Sequence, residues 1–226
     1  MVKNQSQRDI EPFLLNERIC ETNERLDNYE IKRMGKLCNS TGRPRKYAAC
    51  SSVIRGLLNE DLRRKTIIEV GPGLEGRFML DLISEEGGIA IGIDRIPQET
   101  EGSEEDIKIL TLAMEDLGKA MPQKIDLINV MYMDYFPWGH KIQHESNLGS
   151  FFERIRARRH IQKYDYLVAD SFAKTLKPNG FITHWWMPGG SYRLNPKAFV
   201  KNGFAHREFD LFTKLIGYNL DIYQKQ

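Results

Sequence analysis

An α/β fold, with helices on both faces of a mostly parallel sheet, is predicted by three observations. Short apolar runs recur from Thr66 onward, a helical segment separates the first two, and a glycine-rich turn closes the first run. Runs this uniformly apolar read as strands buried on both faces, unlike the one-sided alternation of a half-exposed antiparallel sheet. With 226 residues, 41% of them hydrophobic, the chain can bury one substantial core. We expect a helical N-terminal extension or lid over residues 1–46 and one main domain over residues 47–226.

In the extension, Leu14, Leu15, Ile19, Leu26 and Ile31 form a loose apolar face among Glu and Arg residues. The segment Asn39-Ser40-Thr41-Gly42-Arg43-Pro44 breaks it, and Tyr47 to Leu58 reads as a further helix with Val53, Leu57 and Leu58 inward. Five strands follow, at Thr66–Val70, Ile89–Ile93, Ile107–Leu112, Ile125–Val130 and Phe181–Trp185. Between the first two, Phe78, Met79, Leu82 and Ile83 share a helix face, and Gly87-Gly88 is placed to end that helix. Strand, helix and strand in so short a span make a right-handed parallel unit. Past Pro188-Gly189-Gly190 come a short helix around Asn195 to Asn202 and two more runs, Glu208–Phe212 and Tyr218–Tyr223. Joined through Lys214 and Gly217, these form a C-terminal antiparallel hairpin and bring the strands to seven.

Composition excludes several functions. The 33 basic and 31 acidic side chains nearly cancel, so the molecule as a whole is not an obvious polyanion binder and any basic patch must be local. Two local basic groups stand out: Arg154, Arg156, Arg158, Arg159, His160 and Lys163 within Phe152–Lys163, and Arg43, Arg45 and Lys46. Such runs on helices are commonly solvated faces. Met1 to Pro12 has no apolar core, and no run is long enough to cross a bilayer, so a cytoplasmic protein without membrane contact is expected. Cys20, Cys38 and Cys50 are odd in number and lack metal-ligand spacing, which points to reduced thiols.

The chemistry concentrates in Glu69-Val70-Gly71-Pro72-Gly73-Leu74-Glu75-Gly76, which follows a buried strand and opens a helix. Its glycines let a ligand lie directly on the backbone of the turn. The second strand ends at Asp94, where a carboxylate can accept from both hydroxyls of a ribose. Together they read as a nucleoside site at the carboxyl edge of the sheet. Gly71, Gly73 and Gly76 also satisfy the dinucleotide fingerprint, so NAD is the first rival; Glu69, two positions before the first glycine, argues against it.

This stretch resembles motif I of the class I S-adenosylmethionine-dependent methyltransferases, departing from it where Glu75 replaces the third glycine. Ile93-Asp94 resembles the acidic end of that family's second strand, Ala113-Met114-Glu115-Asp116-Leu117 its adenine loop, and Ile125-Asp126-Leu127-Ile128-Asn129-Val130 its fourth strand. Leu176-Lys177-Pro178-Asn179-Gly180 resembles the turn before the fifth, and the terminal hairpin resembles strands six and seven. The likeness runs from about Tyr47 to the C-terminus and implies a Rossmann-like, seven-stranded methyltransferase domain with S-adenosyl-L-methionine as cofactor. It implies that Glu69, Gly71, Pro72 and Gly73 hold the methionine end, Asp94 and Arg95 the ribose edge, Met114 and Glu115 the adenine, and that Asn129 and Val130 border the methionyl chain.

The acceptor side is read from the loops after the fourth and fifth strands. They carry Tyr132, Asp134, Tyr135, Trp138, His140 and His144, then His184, Trp185 and Trp186, an aromatic set suited to a small molecule with an aromatic or apolar part. An oxygen or protonated nitrogen acceptor needs a base, and His140, His144 and His184 are the candidates. His140 ranks first because Pro137-Trp138-Gly139 can project it, whereas His184 lies within a strand. His184-Trp185-Trp186 stands where the resembled family's metal-dependent catechol branch places an Asp-Asn pair, so no metal is expected. Asp134-Tyr135-Phe136-Pro137-Trp138 only faintly resembles the base-methylating motif, leaving RNA as the second acceptor class. An NAD-dependent oxidoreductase and a non-catalytic nucleoside-binding module are the remaining alternatives, and the oligomeric state is open.

Overall fold

Apolar, mostly β-branched residues build the sheet: Ile67, Ile68 and Val70 on the first strand, and Ile125, Leu127, Ile128 and Val130 on the fourth, are all buried. The computed structural model describes residues 44–59, 61–72, 80, 83–95, 108–131, 151–187, 193–209 and 218–226. The chain forms two units, residues 1–63 and 64–226. In the first, helix α1 (Pro44–Leu57) opens on a proline, whose missing N–H costs a helix start nothing. Ala49, Cys50, Val53, Ile54 and Leu57 are buried along it, and the expected inward residues Val53, Leu57 and Leu58 are among the buried set. The expected apolar face between Leu14 and Ile31 lies outside the described residues.

The second unit holds strands β1 (Thr66–Val70), β2 (Ile89–Asp94), β3 (Lys108–Thr111), β4 (Ile125–Met131), β5 (Leu176–Trp186), β6 (Phe204–Phe209) and β7 (Asn219–Lys225). Its helices are α2 (Leu117–Ala120), which follows a 3-10 turn at Met114–Asp116, then α3 (Phe151–Thr175) and α4 (Pro196–Lys201). The seven strands lie in the order β3-β2-β1-β4-β5-β7-β6. β3 to β5 pair in parallel, while β7 runs antiparallel to both β5 and β6. This is the mostly parallel seven-stranded sheet with a C-terminal antiparallel hairpin that the sequence predicts. The order reverses between β1 and β4, the point at which open α/β sheets present a crevice at their carboxyl edge.

Local signals account for the boundaries. Residues 83–85 are helical, and Gly87 ends the helix at φ +78° while Gly88 N–H reaches back to Ile83 O at 2.9 Å and Gly87 N–H to Ser84 O at 2.9 Å. Phe78, Met79 and Leu82, expected on one face of a helix here, lie outside the described residues. At α4, Asn195 accepts from Lys197 N–H at 3.1 Å and Pro196 takes the first helical position.

Two strands differ from expectation by more than two residues at an end. β5 begins at Leu176, the first residue of the expected turn at 176–180, because its pairing jumps from Ile125↔Leu176 to Leu127↔Phe181 and encloses Lys177–Gly180 as an irregularity, with Asn179 at φ +62°. β6 spans Phe204–Phe209 rather than Glu208–Phe212; the exposed positions between buried Phe204 and Phe209 dilute the apolar signal of an edge strand. The hairpin connection and Pro188-Gly189-Gly190 lie outside the described residues.

One sheet face packs against α3 and α4. Ile68, Val70, Ile93, Ile128, Val130, Ile182 and Tyr223 meet Val168, Ala169, Phe172, Ala198 and Phe199 in one cluster. Phe199 sits at its centre, with ring centroids 4.6 Å from Tyr223, 5.6 Å from Phe204 and 6.1 Å from Phe172. Its burial is worth about 1.5–3 kcal/mol. Among the described residues, no helix is long and apolar enough to cross a membrane.

Candidate functional site

At the end of β1 the chain turns sharply on Gly71, whose φ of +63° would strain any side chain. Its N–H donates to Ile93 O at 2.8 Å, tying the turn to the end of β2. Nothing lies within 4 Å of where a Cβ would stand on Gly71, so among the described residues the turn is open to a ligand. Glu69 is fully buried just before it, and Pro72 is buried just after. Gly73 lies outside the described residues.

The neighbouring strand ends add two carboxylates. Asp94 closes β2 opposite Thr111, and its carbonyl accepts from Leu112 N–H at 2.8 Å. In the turn after β3, Met114 is buried in the core cluster, and Glu115 stands half-buried beside it. Arg95 reaches to 3.9 Å from Glu115 Oε1, and the Tyr164 hydroxyl donates to Glu115 Oε2 at 2.7 Å. Burial first, and then the hydrogen bond to Glu115, hold the Tyr164 hydroxyl well above the usual phenol range, so it stays a donor. Ser171, two turns further along α3, donates to Met114 O at 2.7 Å and accepts from Gly118 N–H at 2.8 Å, fixing the same turn. Sequence reasoning missed both; polar residues seven apart on the buried face of a long helix were the available signal.

At β4, the two expected cofactor residues part company. Asn129 donates through Nδ2 to Glu69 Oε2 at 2.6 Å, whereas the side chain of the adjacent Val130 packs into the core on the opposite face, leaving only its backbone at the strand end. Thr183 on β5 donates to Asn129 Oδ1 at 2.6 Å. Sequence reasoning did not single out Thr183, since a threonine in an apolar strand reads as a β-branched filler.

His184, the remaining described base candidate, is fully buried, with Nδ1 3.8 Å from Asp221 Oδ2 on β7. Asp221 is the centre of a larger group. Its Oδ2 accepts from Arg193 Nε at 2.9 Å and its Oδ1 from Arg193 NH2 at 2.8 Å, while His206 Nε2 lies 2.7 Å from Oδ1. Arg193 also meets Glu208 at 2.6 Å and lies 4.4 Å from the Trp186 ring centroid. Burial works against ionisation of Asp221, but His184, His206 and Arg193 overcome it and hold the carboxyl well below the usual range. A charged residue inside the apolar run Leu220-Asp221-Ile222 was the signal for this group. His140, His144 and the aromatic residues between Tyr132 and Trp138 lie outside the described residues.

The residues at these strand ends fit a nucleoside cofactor: an open glycine turn at β1, carboxylates after β2 and β3, and a buried Glu–Asn pair between β1 and β4. No family model and no curated protein matches the chain. Solved structures with the same architecture do. One is a TehB-like SAM-dependent methyltransferase from Corynebacterium glutamicum, at 11% identity and TM-score 0.52, covering 92% of this chain and 99% of that one. A second is the Burkholderia thailandensis 1,6-didemethyltoxoflavin-N1-methyltransferase with bound 1,6-didemethyltoxoflavin and S-adenosylhomocysteine. It has 12% identity and TM-score 0.52, over 91% and 87% of the two chains. A third is a SAM-dependent methyltransferase from Archaeoglobus fulgidus, at 12% identity and TM-score 0.50, over 88% and 100%. At these identities it is the architecture that is shared, and the chain has the fold of the class I S-adenosylmethionine-dependent methyltransferases.

Proposed function

We propose that this protein is an S-adenosylmethionine-dependent methyltransferase acting on an oxygen or nitrogen of a small molecule with an aromatic or apolar part. The observation that carries the reading is the carboxyl edge itself: Glu69 and Gly71, Asp94, and Met114–Glu115 follow one another on adjacent strands of a sheet whose seventh strand is inserted antiparallel beside the fifth. An NAD-binding sheet of the doubly wound type has the order 3-2-1-4-5-6, without that insertion. The acceptor class rests on the aromatic residues that the sequence carries after the fourth strand and on Trp186 at the end of β5, and finds support in the neighbour named for N1 methylation of 1,6-didemethyltoxoflavin; Trp185, expected in the loop, is buried within β5.

When bound, the cofactor supplies a sulfonium-activated methyl group. The chain then has to place a nucleophile in line with it, exclude water and take up a proton where the acceptor carries one. Glu69, with Asn129 and the Gly71 turn, would hold the methionine end. Asp94 would accept from the ribose hydroxyls, and Glu115, steadied by Tyr164, would face the adenine amino group.

Two expected results test this. S-adenosylhomocysteine should raise the melting temperature while NAD does not, and Asp94→Ala should weaken its binding by about 1.5–3 kcal/mol, the scale of hydrogen bonds to a charged group. Preferential stabilisation by NAD would overturn the reading. Tyr164→Phe should cost about 1 kcal/mol of the same binding, roughly fivefold, by releasing one oxygen of Glu115; calorimetry showing no loss would remove Tyr164 from the adenine site.

RNA is the second reading, favoured by Arg159, His160 and Lys163, which are exposed on α3. The side chains of Arg154, Arg156 and Arg158 lie outside the described residues. Tight RNA binding that collapses between two ionic strengths in a gel-shift titration would transfer the assignment.

A further inference from the structure

We propose that Thr183 is a positioning residue for the cofactor, acting through Asn129 on Glu69; this rests on the methyltransferase reading above and deepens it. Glu69, Asn129 and Thr183 stand side by side in register on β1, β4 and β5, and the alternation of strands puts their side chains on one face. All three are at most 0% exposed. The row continues to Gly92 on β2 and Ile222 on β7, so the polar stretch begins at Glu69 and ends at Thr183. Two short hydrogen bonds join it, Thr183 Oγ1 to Asn129 Oδ1 at 2.6 Å and Asn129 Nδ2 to Glu69 Oε2 at 2.6 Å.

The polarity of this chain of bonds follows from the amide. Asn129 presents Nδ2 to Glu69 Oε2, which turns its Oδ1 toward β5, where it needs a donor. The Thr183 hydroxyl is that donor. Valine, with the same shape and an equal liking for strands, would leave a buried acceptor bare and free the amide to turn over. Thr183 therefore sets the amide, and the amide sets the Glu69 carboxylate immediately before the open Gly71 turn. The strand facing the acceptor is thereby coupled to the residue that anchors the cofactor.

The test is calorimetric titration of the full chain with S-adenosylhomocysteine, comparing the parent with Thr183→Val, Thr183→Cys and Thr183→Ser. Affinity should fall about tenfold for Val, less for Cys with its weaker donor, and no more than about twofold for Ser, the order following the donor. In nitrogen-15 spectra of the unliganded parent, one Asn129 amide proton should stand downfield, as a short bond to a carboxylate requires, and move back in Thr183→Val. Equal affinity of parent and Thr183→Val overturns the proposal. So does a loss in Thr183→Ser as large as in Thr183→Val, because packing of the methyl group would then be the cause. Should Thr183→Val not fold, the Ser and Cys variants carry the same comparison. A parent that binds no S-adenosylhomocysteine overturns the methyltransferase reading and this proposal together, a result separate from equal binding by parent and variant.

Discussion

Asp221→Asn is expected to lower the stability of the fold by about 3 kcal/mol, the low end of the range for breaking a buried ion pair from one side. Asp221 is fully buried and takes both arms of Arg193 as well as His206. The isosteric amide keeps the shape but removes the charge that Arg193 was folded against, and its NH2 group faces donors. The loss stays at the low end because the Arg193 side chain retains Glu208 and is 30% exposed. For a chain of this size the melting temperature should drop by roughly 6–12 °C. The pH dependence has a definite sign. The folded carboxyl titrates well below its ordinary value, so its stabilisation is complete above the ordinary carboxylate range and is lost as pH falls through that range toward the folded value. The gap between parent and variant should therefore close as pH falls below the ordinary carboxylate range. Denaturant melts showing a gap under 1 kcal/mol, or one that widens in acid, would contradict this account of the group.

His140→Ala is expected to lower turnover by about 10²–10⁴-fold while leaving cofactor affinity nearly unchanged, since a general base contributes in the transition state. The structure sharpens the contrast with His184. That ring is fully buried, 3.8 Å from Asp221, among groups that hold the hairpin to the end of β5, so His184→Ala should act chiefly on stability. A histidine base is active when neutral, so the rate of the parent should rise with pH through the histidine range and flatten above it. Steady-state kinetics on His140→Ala, His144→Ala and His184→Ala separate the cases. Near-parental turnover in all three, or activity abolished by EDTA and restored by magnesium, would replace this mechanism with positioning alone or with a metal.

Sequence by itself determined the architecture of the second unit, because its signals are local and repeated. Predominantly apolar runs mark β1 and β4 as strands covered on both faces. The Gly87-Gly88 pair marks a helix stop that the Ile83 and Ser84 carbonyls then fill, and the Asn195-Pro196 pair marks the start of α4. The glycine turn and Asp94 placed a nucleoside site at the carboxyl edge for the same reason: each depends on what a single strand end can hold. Tertiary structure alone decided the partners, which are far apart in the chain. Tyr164 reaches Glu115 and Thr183 reaches Asn129 across separations of 49 and 54 residues, respectively. Asp221 looks like a misplaced charge in an apolar strand until Arg193 and His206 close around it. A periodicity specifies which face a residue occupies, but a hydrogen bond such as Tyr164–Glu115 or Thr183–Asn129 requires two faces to meet at 2.7 and 2.6 Å, and that meeting is set by strand order and register, which no single stretch of sequence encodes.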